Sequence, residues 1–309
     1  MKAVRVHAFG GIEALTYEDV PQPATGEGQV LVRVAAAGVG PWDAWVREGR
    51  SALPQPLPLV LGSDVSGVVE AVGPGVTAFA SGEAVFGVTN ARFTGGYAEY
   101  AAAEAAMVAG KPRGLADTAA ASLPIVACTA WQMVFDHARV EAGQRVLVQG
   151  GAGNVGAYAV QLCRLAGAHV VATSRPSGFD YLREIGAAEL IGPQIGAFAG
   201  RERNFHAVID TVGGDQLRQS FALLRPGGIL ISAVTPPDQE EAARYGVRAA
   251  FLLVSVTTET LGRIAQLIEA GKLRTRVGET LPLSQARRAH EMLAGRPHKP
   301  GKIVLLPGA

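Results

Sequence analysis

The pattern of apolar and polar positions changes once along the chain, at about residue 119. Before that point, short β-branched runs are separated by turns rich in glycine and proline, which predicts several short strands. These predicted strands are residues 29–35, 66–72, 83–88 and 96–101. Strands of this length and spacing are typical of a barrel-like or sandwich-like β domain.

From about residue 119 onward, continuous apolar runs alternate with segments of helical periodicity. Because apolar strands separated by helices form a parallel sheet that is buried on both faces, this part predicts an α/β domain. The predicted strands are residues 145–149, 169–173, 207–210, 229–232 and 249–254, and the predicted helices are residues 154–166, 179–185, 216–224 and 258–270.

After Gly271 the pattern returns to short strands, the last of which is predicted at Lys302–Leu306. We therefore predict two domains. Residues 1–122 form the β domain, to which residues 275–309 return, and residues 123–274 form the α/β domain, a doubly wound parallel sheet.

Charge and cysteine content narrow the range of partners. The 28 Lys and Arg residues nearly balance the 27 Asp and Glu residues, and no segment concentrates one sign, so we expect neither a nucleic-acid partner nor a membrane surface. No apolar run approaches the ~18 residues of a spanning helix. Cys128 and Cys163 make neither a disulfide framework nor a four-cysteine zinc site. We expect a cytoplasmic protein with a small, neutral substrate.

The strongest motif is a glycine pattern, GAGNVG at residues 151–156, between a predicted strand and a predicted helix. In this context the glycines allow a tight turn, close approach of a pyrophosphate and close packing of helix on strand. The free amides at the helix start favour a phosphate. We predict a Rossmann dinucleotide-binding site, although a glycine turn that only packs the helix against the strand would share the pattern. The expected contacts are Gly151, Gly153, Asn154, Val155 and Gly156.

The end of the next predicted strand distinguishes the two nicotinamide cofactors. NAD enzymes place an acid about 20 residues after the glycines, where this chain has Thr173, Ser174 and Arg175. A hydroxyl and a guanidinium can bind a 2′-phosphate by charge-assisted hydrogen bonds, whereas a carboxylate would repel it. The sequence therefore favours NADPH, with the alternative that Arg175 is only a solvated loop residue.

No metal site is apparent in the sequence. The six histidines show no ligand spacing with cysteine or acid, so we expect no metal. Hydride transfer to an ordinary carbonyl commonly uses a metal or a tuned acid to stabilise the alkoxide. Without a metal the substrate must delocalise its own negative charge, which favours quinones and conjugated enones.

Several segments together resemble a known family. LGSDVSGVV (61–69), VGPGV (72–76) and GEAVFG (82–87) are similar to the GroES-like domain of the medium-chain dehydrogenase/reductase superfamily. AAASLPIVACTAW (119–131), the glycine motif, DTVGG (210–214) and GKIVL (301–305) resemble its zinc-independent NADPH:quinone oxidoreductase branch, the zeta-crystallin-like proteins. The resemblance is colinear over essentially the whole chain and implies a GroES-like β-barrel domain plus a Rossmann domain.

The resemblance also implies site residues. It places Thr129 near the nicotinamide, as the candidate catalytic hydroxyl, and Lys302 near the adenine-side phosphates. The other implied cofactor contacts are Ser174 and Arg175 at the 2′-phosphate, Asp210 and Val212 on the adenosine side, and Val234, Phe251 and Val254 near the nicotinamide. For Asp210 and Lys302 the alternative is a strand-end turn or a surface charge.

The implied substrate pocket departs from the family pattern. Zinc enzymes of the superfamily carry a cysteine at the position of Gly40 and a histidine at that of Ser63, and quinone oxidoreductases often carry an asparagine at Gly40 and a tyrosine at Ser51. We expect Gly40, Trp42 and Ser63 in the substrate pocket, where Trp42 would be a flat apolar wall or, alternatively, plain core.

We predict an NADPH-dependent oxidoreductase that transfers a hydride to a quinone without zinc. The alternatives are a 2-alkenal, enone or enoyl-thioester reductase and, in another class, an NADPH-binding protein without turnover. The apolar strand at 249–254, if it lies at a sheet edge, would allow pairing with a second copy, so we expect a homodimer.

Overall fold

The computed structural model describes residues 1–193 and 203–308, and the chain divides into two units. The first unit contains Met1–Ile125, Val256–Ala270 and Thr275–Ala309, and the second contains Val126–Ser255 and Gly271–Arg274.

The first unit begins with eight strands and two short helices. The strands are β1 (Lys2–Val6), β2 (Leu15–Asp19), β3 (Gln29–Val39), β4 (Leu59–Val60), β5 (Asp64–Val72), β6 (Ala84–Val88), β7 (Tyr100–Glu104) and β8 (Val108–Gly110), and the helices are α1 (Pro41–Arg47) and α2 (Asp117–Ala120).

The long strand β3 organises this unit. It pairs antiparallel with β5 and with β7, and β5 continues the sheet through β6 to β8. A separate three-stranded sheet has the order β2-β1-β4. Valines dominate the core beneath β3, which suits the pleated, half-buried surface of an antiparallel sheet.

The second unit alternates strands and helices as predicted. Its strands are β9 (Arg145–Gln149), β10 (His169–Thr173), β11 (Glu189–Ile191), β12 (Phe205–Asp210), β13 (Leu224–Ser232) and β14 (Arg248–Phe251), and its helices are α3 (Pro124–Trp131), which starts in the first unit, α4 (Asn154–Leu165), α5 (Phe179–Ile185), α6 (Gly214–Leu223) and α7 (Gln239–Tyr245).

The six strands form one parallel sheet in the order β11-β10-β9-β12-β13-β14. When the six strands are numbered 1 to 6 in chain order, this order is 3-2-1-4-5-6, the doubly wound order of dinucleotide-binding sheets. The order reverses between β9 and β12, and ligands bind at the carboxyl ends of the strands at such a switch point. The prediction of an α/β fold with a parallel Rossmann sheet is confirmed.

The chain ends with α8 (Thr258–Glu269), β15 (Val277–Pro282), α9 (Ala286–Leu293) and β16 (Lys302–Leu306). Strand β16 pairs antiparallel with β3 and parallel with β15, so the end of the chain completes the first unit. Helix α8 also belongs to the first unit, whereas we expected it in the α/β domain: the Thr258 hydroxyl donates to the carbonyl oxygens of Ala105 and Val108.

Two predicted strands are displaced or cut short by three residues or more. The strand expected at 96–101 lies at Tyr100–Glu104, because the backbone amides of Gly96 and Tyr97 are bound to loop carbonyls at Gly62 and Leu61 instead of to a neighbouring strand. The strand expected to reach Val254 ends at Phe251, where its pairing with β13 stops. Among the described residues, no helix has the length and apolarity that crossing a membrane requires.

Candidate functional site

A glycine turn joins β9 to α4 in the second unit. Gly150 has φ +70°, a conformation that favours glycine, and its amide donates to Thr173 Oγ1 at 2.9 Å, while the amide of Gly151 donates to the Thr173 carbonyl at 2.9 Å. A Cβ on Gly156 would lie 2.2 Å from the Gly150 carbonyl oxygen. The turn therefore lies tight against both the next strand and the helix that follows.

Gly156 was predicted as a packing residue, whereas Gly150 lies just before the predicted motif. The signal was present in the sequence, since Gly150 and Gly151 form a glycine pair directly after a strand. It is Gly150, not Gly151, that has the positive φ.

Helix α4 begins without a side-chain cap. Gly153 is its N-cap residue and has no side chain to bind the amides of the first turn, which belong to Asn154, Val155 and Gly156. These amides and the positive end of the helix dipole favour an anion, and a helix of 12 residues has a developed dipole. The N-terminus of α4 therefore fits the pyrophosphate of a dinucleotide.

The predicted 2′-phosphate residues follow β10. Ser174 is half-buried and lies against Gly178, whose added Cβ would be 2.3 Å from Ser174 Oγ and 2.8 Å from Ala152 Cβ in the glycine turn. Arg175 is exposed, and within the described part of the chain its side chain has no ion-pair partner. A hydroxyl beside the glycine turn and an exposed guanidinium thus belong to consecutive residues, which suits a phosphate.

Asp210, at the end of β12, is fully buried. Its Oδ1 accepts the amides of Val212 at 3.0 Å and Gly213 at 2.9 Å, and its Oδ2 accepts the Ser232 hydroxyl at 2.7 Å. The Ser232 oxygen in turn accepts the amides of Val234 and Thr235. Asp210 and Ser232 therefore fix the turns that follow two neighbouring strands. This structural role accounts for both residues, and no contact to adenosine is needed to explain them.

Exposed apolar side chains follow the carboxyl ends of β12, β13 and β14. The register aligns Asp210 with Ser232 and Ser232 with Phe251, so the three strands end side by side. The exposed apolar residues at these ends are Val212, Val234, Phe251 and Leu253. Apolar side chains at the carboxyl ends of these strands fit the face of a planar ring.

The loop after β14 is held by a reciprocal pair of hydrogen bonds. The Gln132 amide group donates to the Ser255 carbonyl at 2.5 Å, and the Ser255 amide donates to Gln132 Oε1 at 3.2 Å. Gln132 begins a π-helical turn that continues α3, a feature frequent at functional sites. This pair positions Val254, while Thr129 is buried on α3 in the same unit.

In the first unit the expected substrate residues are brought together at the paired ends of β3 and β5. Gly38 pairs with Asp64, and the expected residues Gly40 and Ser63 lie two positions and one position beyond that pair. A Cβ on Gly40 would lie 2.2 Å from Trp42 Cζ2, so the indole occupies the space of a side chain at Gly40.

Lys302, on β16, forms a buried ion pair. Its Nζ lies 2.9 Å from Asp64 Oδ2 and 4.3 Å from the centroid of the Trp42 ring, and both charged side chains are almost fully buried. Burial raises the pKa of Asp64, and the Lys302 ammonium opposes that rise. The expected position of Lys302 beside an adenine-side phosphate differs from this arrangement, in which the ammonium is buried against a carboxylate of its own unit.

Asp43, on α1, is a further buried acid that the sequence analysis did not identify. Its Oδ2 accepts the Gly40 amide and the Tyr97 hydroxyl, each at 2.8 Å. Burial raises the pKa of Asp43 to about 7, although these hydrogen bonds and Lys302 act in the opposite direction. Burial and the neighbouring Asp43 raise the pKa of Tyr97. The only sequence signal was an acid three residues after a helix-starting glycine.

Arg47 and His290 extend this buried polar network. The guanidinium donates to His290 Nδ1 at 2.7 Å and also pairs with Glu48. Burial, together with the Arg47 charge, lowers the pKa of His290 to about 3, so the imidazole is neutral and accepts at Nδ1. The His290 ring meets Tyr97 edge-on at 6.1 Å.

The residues around Gly40 do not fit a zinc ion. Gly40 and Ser63 offer no thiolate or imidazole, and the Trp42 indole lies where a side chain at Gly40 would extend. Across residues 1–193 and 203–308, no group of three His, Cys, Asp or Glu side chains could hold a metal ion.

Comparisons with known proteins identify the family of this chain. The family model of the alcohol dehydrogenase GroES-like domain matches residues 26–113, and that of the zinc-binding dehydrogenases matches residues 185–305. The human quinone oxidoreductase is 33% identical over 328 residues, which cover 99% of this chain and 98% of that protein. The chain belongs to the quinone oxidoreductase branch of the medium-chain dehydrogenase/reductase superfamily.

Solved structures of the quinone oxidoreductase family extend the similarity to three dimensions. The quinone oxidoreductase from Coxiella burnetii is 32% identical, with 99% of each chain covered and a TM-score of 0.90. A mycobacterial protein complexed with NADPH is also 32% identical, with 99% of this chain and 100% of that chain covered and a TM-score of 0.88.

The predicted family, GroES-like domain and oxidoreductase class are confirmed. Independence from zinc remains a prediction, since one matching family model is named for zinc-binding enzymes. The role of each predicted site residue, the homodimer and the cytoplasmic location also remain predictions.

Asp43 generates a prediction about stability and pH. The pKa of Asp43 is about 7 in the folded chain and about 4 in the unfolded chain. Between pH 4 and pH 7 the folded state therefore keeps a proton on Asp43 that the unfolded state has lost. The stability contributed by this proton is complete below pH 4 and is lost as pH rises through 7. Asp43→Asn cannot ionise, so its free energy of unfolding relative to the unchanged protein should rise by about 2 kcal/mol from pH 5 to pH 7.

Urea unfolding at several pH values measures this difference. Asp180→Asn is the control, because the Asp180 side chain is fully exposed. Parallel stability profiles for Asp43→Asn and the unchanged protein would show that Asp43 is already ionised at pH 5.

Proposed function

We propose that this member of the quinone oxidoreductase family uses NADPH to reduce a quinone and needs no zinc ion. The observation that carries the proposal is the uncapped N-terminus of α4 behind the glycine turn, with Ser174 and Arg175 beside it. The mycobacterial relative that is complexed with NADPH supports the choice of cofactor.

The second unit would hold the cofactor. The amides of Asn154, Val155 and Gly156 would bind the pyrophosphate, with Gly151 and Gly153 allowing close approach. Ser174 and Arg175 would bind the 2′-phosphate. The nicotinamide would lie against the apolar residues at the ends of β12 to β14, namely Val212, Val234, Phe251 and Val254, with Thr129 as the candidate hydroxyl.

The first unit supplies the groups that would recognise the acceptor. When bound, NADPH supplies a hydride, and an acceptor without a metal partner must spread the charge that it receives. Quinones do this through their conjugated ring. Trp42 offers such a ring an indole surface beside Gly40, and the names of the human and Coxiella burnetii relatives point to the same substrate class.

Steady-state NADPH oxidation tests this function. We expect turnover with 1,4-benzoquinone and 9,10-phenanthrenequinone that persists after dialysis against a chelator, since no side chain at Gly40 binds a metal. If only a 2-alkenal or an enoyl thioester were reduced, the protein would be an enone reductase and not a quinone reductase. If NADPH bound tightly but no acceptor oxidised it, the protein would be a cofactor-binding protein without turnover. If dialysis against the chelator abolished activity, the zinc-free proposal would be wrong.

Arg175 generates a prediction about cofactor choice. Arg175→Ala removes a cation from the 2′-phosphate, which NADH lacks, so the Kd of NADPH should rise by about 10- to 100-fold while that of NADH changes little. Fluorescence titration measures both constants. Arg183→Ala is the matched control, since Arg183 is also exposed but pairs with Asp180 on α5. Equal losses for the two cofactors would remove Arg175 from this role.

We also propose a homodimer formed through β14. This strand is the edge of the parallel sheet and is only partly buried, so its outer backbone groups can pair with a second copy. Sedimentation at micromolar concentration should give twice the 32.0 kDa of the chain. A mass near that of one chain would contradict the dimer. A cytoplasmic location stays a prediction from composition.

A further inference from the structure

Gly178, the residue before α5, is a glycine for reasons of space. Its φ of −96° lies outside the left-handed region that favours glycine, so its backbone would accept a side chain. A Cβ at this position, however, would lie 2.3 Å from Ser174 Oγ and 2.8 Å from Ala152 Cβ. Both distances are shorter than 3.0 Å, a separation that real Cβ atoms essentially never show. A side chain here would have to displace one of its neighbours.

The backbone of these two neighbours is held in place. The Thr173 carbonyl accepts the Gly151 amide at 2.9 Å, and the Ser174 amide donates to the Ile191 carbonyl at 3.2 Å. Ala152 follows Gly151 in the glycine turn, and its Cβ moves only with that turn. The Ser174 hydroxyl, in contrast, can rotate about its Cα–Cβ bond. An added Cβ would therefore displace the hydroxyl first.

A short turn carries the chain from Arg175 back to Gly178. The residue before a proline is restricted to extended conformations, and Arg175, which precedes Pro176, has φ −64° and ψ 153°. The Gly178 amide donates to the Arg175 carbonyl at 2.9 Å and closes the turn. Because the turn is held at both ends, the close approach of Gly178 to Ser174 is a fixed feature of the second unit.

The Ser174 hydroxyl is available to a ligand. Ser174 is half-buried, and its Oγ forms no hydrogen bond with another residue of 1–193 or 203–308. It lies beside the glycine turn, on the residue that precedes the exposed Arg175. A hydroxyl donates a charge-assisted hydrogen bond to a phosphate oxygen, but only where donor and acceptor are aligned. Phosphate binding by Ser174 therefore depends on the present position of Oγ, which an added Cβ on Gly178 would occupy.

We propose that Gly178 determines the preference for NADPH over NADH, because it leaves the space from which the Ser174 hydroxyl donates to the 2′-phosphate. This inference rests on the proposed use of NADPH. Gly178 has no side chain to bind the cofactor and acts through Ser174, so it is a positioning residue. NADH has a hydroxyl in place of the 2′-phosphate, so its binding depends much less on the serine hydroxyl.

Gly178→Ala tests the proposal, because it adds only the Cβ. The variant should raise the Kd of NADPH by about 10- to 100-fold, as expected when a hydrogen bond to a charged group is lost, and that of NADH by less than about threefold. Fluorescence titration of the full chain measures both constants. The ratio of the two Kd values decides the test, since any effect of the contact with Ala152 on the glycine turn is common to both cofactors.

A second variant shows whether Gly178 acts through the serine. Ser174→Ala removes the hydroxyl, so it should raise the ratio of the NADPH Kd to the NADH Kd by a similar factor. When Gly178→Ala is added to Ser174→Ala, this ratio should change by less than about twofold further, since the hydroxyl is already absent. Two independent effects would multiply instead.

Gly262→Ala is the matched control. Gly262 lies within α8, and a Cβ there would meet nothing within 4 Å, so both Kd values should stay unchanged. A thermal unfolding curve for each variant shows whether it is folded at the temperature of the titration.

The outcomes separate this inference from the proposed function. If the unchanged protein prefers NADPH and reduces a quinone with it, but folded Gly178→Ala keeps the same Kd ratio, only this inference is wrong. The inference is also wrong if the effects of Gly178→Ala and Ser174→Ala multiply. An unchanged ratio for Ser174→Ala overturns it whether or not Gly178→Ala folds. If the unchanged protein binds NADPH no more tightly than NADH, the proposed choice of cofactor fails as well.

Discussion

The buried ion pair between Lys302 and Asp64 is the interaction on which the first unit depends. It joins the last strand of the chain, β16, to β5, and Asp64 also accepts the Ile125 amide at 3.1 Å. The pair needs room, which Gly38 provides, since a Cβ there would lie 2.3 Å from the Ala121 carbonyl and 3.0 Å from Lys302 Cε. Removing one partner would leave a buried charge uncompensated, at a cost of about 3–5 kcal/mol.

The same ion pair shapes the surroundings of Gly40. The ammonium of Lys302 lies over the Trp42 ring, and that ring occupies the space that a side chain at Gly40 would need. A metal site at this point would need side chains that the chain lacks. The structure therefore places a cation on the face of the Trp42 indole.

The proposed nucleotide-binding turn after β9 depends on close backbone approach instead of charge pairing. Gly150 and Gly156 allow the turn, the strand and the helix to meet at contact distance, and Asp210 with Ser232 fixes the neighbouring turns. The carboxylate of Asp210 is used entirely in this support. In the proposed function, phosphate recognition is left to backbone amides and to Ser174 and Arg175, while the ends of β12 to β14 present apolar side chains.

Local pattern was enough to determine the alternation of strands and helices, the glycine turn after β9 and the missing acid after β10, because each depends on neighbouring residues in the chain. The tertiary structure alone decided the partners of Lys302, Asp43 and His290 and the position of α8. Lys302 lies 238 residues from Asp64, and Arg47 lies 243 residues from His290. Sequence spacing carries no information on such pairs, whose partners meet only when strands from opposite ends of the chain join one sheet.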